Sequence, residues 1–416
     1  MGSPNQAPPL SRRAPGRCGP ASLMLAEARH RRCSGRAVNP LRSISSSDPS
    51  STLLTPDEAP VGEQASRRVP FVLPSPNRPH GLMASAQVIA LRGGGVSGIE
   101  LAPAEIQVLQ DLTIFAFAPF VSGAIAHFEA RLQGRRGPRI LQPYYDIAKL
   151  FHKETLAPED ASWVFLACPI IAFACYLTVP LLIPVLTSYP LPLGYMGDIL
   201  GGGFILALAG FSIALGAAET GAPYAQLGSS RAMTFGALVE PSILFVTFTV
   251  ALVTTTDLPY FEAAAVRSSL SQVVRPAHLL AAFAFFLVVL ADTGRIPVET
   301  HASTLEFGMI DEARTLEHSG TPFALLKWGS AMKQMILYVI LMNVFLAPWG
   351  LAGSRQLGSV LLAVPTFLAK ALGIGAIFAV VDNSFSKLRL FKITEFMAAA
   401  FLLAVLAVLV LYLSGR

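Results

Sequence analysis

The chain has 416 residues, of which 53% are hydrophobic and only 14% are charged. About a quarter of the residues of an ordinary soluble domain are charged, so this composition argues against a soluble protein and predicts burial in a lipid bilayer. The net charge of +5 comes from unevenly spread basic residues, and nucleic acid is not an expected partner.

The first 104 residues are expected to form a disordered tail. Residues 1–82 are rich in proline, serine and arginine, lack lysine and show no sustained apolar periodicity. Two explanations remain open. An arginine-rich, acid-poor start is typical of an organelle transit peptide. Alternatively, translation starts at Met83, and arginine without lysine reflects a GC-rich reading frame; we favour this second explanation.

The rest of the chain, residues 105–416, is predicted to be an all-α, polytopic membrane domain with about eight transmembrane helices, because a membrane-spanning helix needs about 20 mostly apolar residues. The fifth apolar segment is short and is expected to continue through Pro297. The eight segments are about Gln107–Glu129, within Ala161–Ser188, within Ile199–Ala218, about Thr234–Thr255, about Ala277–Asp292, within Gln334–Leu351, within Leu357–Val381 and within Phe396–Leu413.

Lysine and arginine are distributed unequally over the loops that connect these segments. Fourteen of them follow spans one, three, five and seven, with Arg231, Lys327 and Lys333 among these loop residues, and four follow the other spans. Since cytoplasmic loops carry the excess of basic residues, the odd-numbered loops are predicted to be cytoplasmic and both termini to face outward.

The first of these loops, Arg131–Glu154, is predicted to contain an interfacial amphipathic helix. Ile140, Tyr144, Ile147 and Phe151 recur at helical spacing, and the loop begins with basic residues that favour anionic headgroups. We expect a membrane-surface element that also offers a docking strip for a partner.

The segment from Ala291 to Ser330 is long and strongly charged although it separates two apolar runs. A connection of this length is uncommon and usually functional. Because its acidic residues begin inside the apolar boundary, the segment indicates a proton-handling or docking surface.

Several ionisable residues interrupt the apolar segments. Lys370 lies deep in the seventh, and a partner inside the bundle is a better prediction than snorkelling to the interface. Glu240 near the start of the fourth is either a proton carrier or a glutamate that faces headgroups. Asp292 and Asp382 end apolar runs and, taken singly, are better interpreted as solvated helix ends.

The sequence does not indicate a cofactor bound by this chain alone. Its four cysteines include no CxxC pair, so neither an iron–sulfur cluster nor a metal site is predicted. No P-loop, HExxH or GxSxG motif occurs, and catalysis by the chain alone is not indicated.

The order of several motifs resembles a known family: the membrane subunit shared by group 4 energy-converting hydrogenases, of the formate hydrogenlyase and hydrogenase-4 type, and respiratory complex I, where it is the NADH dehydrogenase subunit 1 type. The resemblance covers about residues 105–415. The motifs are Gly134–Pro138 with Leu141-Gln142 and Tyr145–Leu150, Glu219–Gly221, Gly228–Arg231, Leu238–Pro241, Asp292 with Gly294–Pro297, Leu316–Gly320 with Lys327-Trp328, and Lys370 with Asp382-Asn383.

The resemblance implies a subunit that docks a peripheral redox arm in the cell inner membrane and couples it to proton movement. The implied partners are the hydrogenase large and small subunits, or their complex I homologues, and antiporter-like membrane subunits. An iron–sulfur cluster in a partner is implied, and quinone binding is left open. The implied proton path comprises Glu219, Arg231, Glu240, Asp292, Arg295, Glu299, Glu306, Glu317, Lys370 and Asp382. The implied docking residues are Arg135, Arg136, Gly137, Pro138, Tyr145, Asp146 and Lys149.

Two alternatives to the hydrogenase branch remain open. The first is the quinone-chamber subunit of complex I, whose members usually carry extra residues where only Arg139-Ile140 stand here. The second is a secondary transporter, which often shows internal repeats that this chain lacks. The chain also departs from the family at two places. The family often has an aspartate after Ile-Pro-Phe, where this chain has Val298-Glu299, and many relatives have a tyrosine where this chain has His318.

Overall fold

A computed structural model describes residues 100–158, 161–268, 274–294, 311–384 and 390–414. The tail at residues 1–99 lies outside this part of the chain, and so do its predicted disorder and the two explanations of its origin.

Helices make up most of the described structure, which contains two isolated β-bridges and no strand. Besides the short 3₁₀ turn Leu193–Tyr195 there is one π-helix, Leu341–Leu346. The α-helices are α1 (Pro103–Leu132), α2 (Gln142–Phe151), α3 (Trp163–Leu182), α4 (Ile199–Glu219), α5 (Pro223–Thr254), α6 (Pro259–Ser268), α7 (Pro276–Asp292), α8 (Asp311–Thr315), α9 (Gly320–Ile340), α10 (Leu357–Ser384) and α11 (Leu390–Leu413).

The predicted fold class is confirmed: the chain is a multi-pass, all-α membrane protein. Within the described residues, seven helices are long and apolar enough to cross a bilayer, and the apolar helix α7 has only 17 residues. The prediction that this fifth span continues through Pro297 is wrong, because the helix already ends at Asp292. Helix α7 ends at Asp292 because the chain turns there, with the Gly294 amide donating to the Ala291 carbonyl at 3.1 Å and Gly294 at φ 64°.

Two helices begin much earlier than the apolar runs indicated. Helix α5 begins at Pro223, which suits a first-turn position, and α9 begins at Gly320. With 32 residues, α5 is about 48 Å long and exceeds the apolar core of about 30 Å. Arg231, Lys327 and Lys333 therefore lie on helices, and counting them as loop residues was wrong.

Helix α9 is the centre of the bundle. Of its apolar stretch, 72% is buried inside the protein, against 22% for α11. It packs against α1, α2 and α3. Ring contacts support this position: Trp328 stacks on Phe115 at a centroid distance of 4.2 Å, and Tyr338 stacks on Phe378 at 4.9 Å.

The π-helix continues directly from α9 and is held from several sides. The amide of Asn343 donates to the carbonyl of Pro184 at 2.8 Å, and Nε2 of His278 donates to the carbonyl of Phe345 at 2.9 Å. Single π-helical turns occur frequently at functional sites, because the wider turn changes which backbone groups remain for other partners.

The predicted amphipathic helix is present as α2, but it is seated against the bundle. Ile147 is buried, and the Tyr144 hydroxyl donates to the carbonyl of Ala116 on α1. Gly123 permits this approach, since a Cβ there would collide with the carbonyl oxygen of Ile140. Helix α2 is therefore part of the packed structure and not only a membrane-surface element.

Candidate functional site

An ion pair joins α7 to α9 near the end of the bundle that carries α2, which we call the α2 end. Nζ of Lys333 donates to Oδ1 of Asp292 at 2.7 Å, and the two side chains are only 24% and 19% exposed. The prediction of a solvated helix end is therefore wrong for Asp292. The early start of α9 places Lys333 on a helix, where it can reach the last residue of α7.

Two cavities meet at this ion pair. The first, which we call the inner cavity, has a volume of about 520 Å³, is lined mainly by apolar residues of α4 and α5, and opens at their surface, where Glu240 on its wall is exposed. The docking-side cavity, of about 620 Å³, is lined by α1, α2 and α9, with Asp146 and Lys149 at α2. Asp292, Lys333, Arg314 and Gly210 line both cavities. We call Asp292, Arg314 and Lys333 the junction cluster.

The junction cluster can respond to charge on either side. A partly buried ion pair is sensitive to nearby charge because little solvent screens it. Protonating Asp292 or moving Lys333 would change the wall of both cavities at once. The geometry therefore suits exchange of a proton between the docking side and the inner cavity.

Lys370 has partners inside the bundle, as its sequence position predicts. Its Nζ donates to Oδ1 of Asn343 and to the carbonyl of Ala347, both at 2.8 Å. The Asn343 amide donates in turn to Pro184, so the ammonium on α10 is connected through the π-helix to the end of α3. Snorkelling is not what holds this lysine.

The other predicted path residues are distributed over the α2 end and the middle of the bundle. Glu240 shares the inner cavity with Asp292, whereas Glu317 is exposed and lines neither cavity. Glu219, Arg231 and Asp382 are half-buried on α4, α5 and α10. Arg295, Glu299 and Glu306 lie outside the described residues.

The predicted docking residues form an exposed surface on a fixed loop. Arg135, Arg136, Pro138, Tyr145, Asp146 and Lys149 are all exposed. The loop is held against α1, since Nδ1 of His127 donates to the Pro138 carbonyl at 2.7 Å. A Cβ on Gly137 would lie 2.8 Å from the His127 carbonyl oxygen, so glycine is required at this contact.

His318 belongs to the segment that precedes α9 and is buried against the start of α3. Its ring stacks on Phe165 at a centroid distance of 4.1 Å and an interplanar angle of 6°. Burial lowers the pKa of His318 to about 4, so the ring is neutral at physiological pH. Ser319 fixes the segment, accepting from the Leu156 amide at 2.7 Å and donating to the Leu156 carbonyl at 3.0 Å.

Reasoning from sequence missed some of the residues that complete these sites. Asn343 is the one amide in the apolar run Met335–Leu346 of the sixth span, and that isolation was an available signal. Lys333 and Arg314 gave no such signal, because their contribution depends on which helices pack together. Among the described residues, no group of three or more His, Cys, Asp or Glu side chains could hold a metal ion.

Comparison with known proteins finds similar membrane subunits. Residues 105–413 match the family model described as NADH dehydrogenase. Formate hydrogenlyase subunit 4 of Escherichia coli (strain K12) is 32% identical over 285 residues, which cover 68% of this chain and 90% of the relative. The H-type subunit of NADH-quinone oxidoreductase from Syntrophotalea carbinolica is 27% identical over 299 residues, covering 68% and 87%.

One solved structure has the same fold. A chain of the membrane-bound sulfane sulfur reductase, an archaeal respiratory membrane complex, superposes with a TM-score of 0.63. The match covers 74% of this chain and 99% of the other, at 21% sequence identity.

Proposed function

The chain belongs to the NADH dehydrogenase subunit 1 family, and from this premise we propose that it is the membrane-anchoring, proton-coupling subunit of a multisubunit energy-converting hydrogenase of the formate hydrogenlyase type. We assign its membrane domain to residues 105–416, which follow a tail at residues 1–104. We assign the protein to the cell inner membrane. The similarity to formate hydrogenlyase subunit 4 supports this branch of the family.

One observation carries the proposal: the Asp292–Lys333 pair lies where the docking-side cavity meets the inner cavity. The docking-side cavity is lined by α2, the helix that follows the exposed Arg135 and Arg136 along the chain. A partner bound to that face would therefore be separated from the junction cluster by a cavity and not by packed side chains.

The peripheral arm would supply one-electron chemistry from an iron–sulfur cluster held by a partner subunit. This chain's own contribution is electrostatic. A change of charge at the docking face alters the balance between the paired and unpaired states of Asp292 and Lys333. In this proposal, a proton passes from the docking-side cavity to Asp292 when the pair opens, and closing the pair releases that proton to the inner cavity.

Glu240 and Lys370 are the proposed stations beyond the junction. Glu240 stands on the wall of the inner cavity, and Lys370 is held by Asn343 at the π-helix. Glutamate and lysine can each hold or release a proton. In this assignment, antiporter-like membrane subunits receive the coupling from the bundle.

The second candidate is the quinone-chamber subunit of an NADH-quinone oxidoreductase. The mixed apolar and charged lining of the docking-side cavity favours it, because such a cavity suits an amphipathic quinone. The short Arg139-Ile140 link and the higher identity to the hydrogenlyase relative favour the first candidate.

Purification of the tagged complex in mild detergent tests the anchoring role. We expect hydrogenase large and small subunits to co-purify, and we expect Arg135→Glu with Arg136→Glu to release them while the chain stays in the membrane. Arg267→Glu on α6 is the matched control, since it reverses an exposed arginine elsewhere. Co-purification of an NADH-quinone set would favour the second candidate, and retention of the redox arm by the double variant would contradict the docking surface.

The coupling role is tested at the junction. The variant Asp292→Asn with Lys333→Met removes both charges of the pair, so neither partner is left behind as an unpaired charge. We expect this variant to assemble and to keep redox activity with an artificial acceptor, but to lose proton movement into membrane vesicles. Undiminished proton movement in the assembled variant would refute the junction as a coupling site.

A further inference from the structure

Glu262 on the short helix α6 is an acid that the proposed path does not include. Its side chain is 0% exposed, and among the described residues neither carboxyl oxygen has a hydrogen-bond partner. Helix α6 packs against α5 and against the π-helix. We call this end of the bundle the α6 end; it is opposite the α2 end, because α5 runs from one to the other.

An unpartnered carboxylate is costly in such a place, so the neutral acid is the stable form. Burial raises the pKa of Glu262 to about 8, and the negative charge of Asp257 adds to the effect. Residues 241–254 of α5 and the six residues of the π-helix contain no titratable side chain, and Tyr195, whose ring packs against Phe261 of α6, carries no positive charge that would offset this. Asp257 is the charged group that acts on it from the preceding loop.

The π-helix places Glu262 in the same structural unit as two other ionisable residues. Lys370 donates to the Asn343 side chain and to the Ala347 carbonyl, and His278 donates to the Phe345 carbonyl. Helices α6, α7 and α10 therefore all meet one six-residue segment. A change in that segment that follows proton loss from Lys370 would reach the packing around Glu262.

We propose that Glu262 is a proton-holding site at the α6 end, which takes a proton from the bundle interior and releases it to water on the side of α6. The inference rests on the proposed proton-coupling function and extends it to the opposite side of the bundle. On release, the carboxyl O–H bond breaks, the proton passes to water and the bonding electrons stay on the carboxylate. On reloading, a proton from the interior restores the acid, and no electron is transferred.

Infrared difference spectroscopy of the purified complex tests this assignment directly. We expect a protonated-carboxyl C=O band at pH 7 that is present in the wild type and missing in Glu262→Gln. We expect Asp257→Asn to move the titration of this band to lower pH, because that variant removes the neighbouring negative charge. A wild-type spectrum without the band, or a band unaffected by Asp257→Asn, would overturn the assignment.

Oriented vesicles test the direction of release. We expect the band to follow the pH on the α6 side, and Glu262→Gln to keep redox turnover but reduce proton movement at least tenfold. Two results would overturn the release site alone. One is a band that follows the pH of the other side, and the other is full proton movement by Glu262→Gln in an experiment where the wild type also moves protons. A wild-type complex that moves no protons would overturn the proposed function and the release role together.

Discussion

At the residue scale, Lys370 combines a charge with two neutral acceptors. Neither Asn343 nor the Ala347 carbonyl carries a negative charge, so the ammonium is solvated by dipoles and not by an ion pair. Such an arrangement supports loss of the proton more readily than a carboxylate partner would, because no negative charge favours the ammonium form.

Lys370→Met is expected to assemble and to lose proton-coupled turnover. Methionine removes the titratable group but leaves two acceptors without a donor, which costs about 1–3 kcal/mol. Lys370→Gln is the matched control, because it keeps a donor while removing the proton site. Glu240→Gln should likewise uncouple the complex. Native gels report assembly, and redox activity with and without an uncoupler reports coupling; wild-type coupling in all three variants would contradict the path.

His318 predicts acid sensitivity of the fold. The pKa of His318 is lowered to about 4, so the unfolded chain binds more protons than the folded chain between about pH 4 and pH 6.5. The stability contribution of the neutral ring is complete above pH 6.5 and is lost as the pH falls to 4, by up to about 1.4 kcal/mol per pH unit.

His318→Phe should flatten this dependence, since phenylalanine can keep the stack on Phe165 without a titratable nitrogen. Thermal unfolding is measured by reaction of the buried thiols of Cys168 and Cys175 with a pyridyl disulfide, which reacts with thiols at acid pH, in a form that starts at Met83 and so lacks Cys18 and Cys33. Equal loss of stability on acidification in both proteins would show that His318 does not determine it.

These residues mark the limit of what sequence predicts. An interior partner for Lys370 followed from its depth in an apolar run, because solvation of a charge in lipid is costly. The identity of the partner did not follow, since Asn343 reaches Lys370 only when α9 and α10 pack and the π-helix turns the amide toward it. The pairing of Asp292 with Lys333 depends equally on helix packing.

At the element scale, α2 is fixed to α1 by close backbone contact. A Cβ on Gly123 would collide with the backbone at Ile140 and would lie 2.9 Å from the Pro143 ring. The site therefore depends on a glycine in the middle of a spanning helix, although alanine is the better helix former there.

Gly123→Ala is expected to displace α2 and to weaken binding of the peripheral arm, at a cost of about 1–3 kcal/mol for overpacking. Gly373→Ala on α10 is the matched control, because no atom lies within 4 Å of a Cβ placed there. Stability of the tagged complex to heating in detergent is the measurement. Equal behaviour of the two variants would contradict the importance of this contact.

Helix positions were more predictable than helix lengths. Apolar runs located all eight segments because lipid burial demands them, but the extensions of α5 and α9 carry polar residues that hydropathy assigns to loops. The amphipathic spacing predicted α2, whereas its seat on α1 depends on the tertiary contact at Gly123.

At the scale of the whole molecule, the distribution of basic residues predicts that the α2 end faces the cytoplasm. Single cysteines in place of Arg135 and Arg267, in a cysteine-free background, should react from opposite sides with an impermeant maleimide. We expect labelling of residue 267 and not of residue 135 in intact cells. Labelling of residue 135 from outside would reverse the orientation.

The central position of α9 has a consequence for how the protein is made. Lipid covers little of this helix, which carries Lys327 and Lys333 and is the least apolar of the seven long spans. Its entry into the bilayer is thus supported mainly by contact with α1 and α3, which are synthesised earlier. A chain deprived of α1 should therefore stall or misinsert at its sixth span, far from the deletion, so that defects in early spans emerge late in biogenesis.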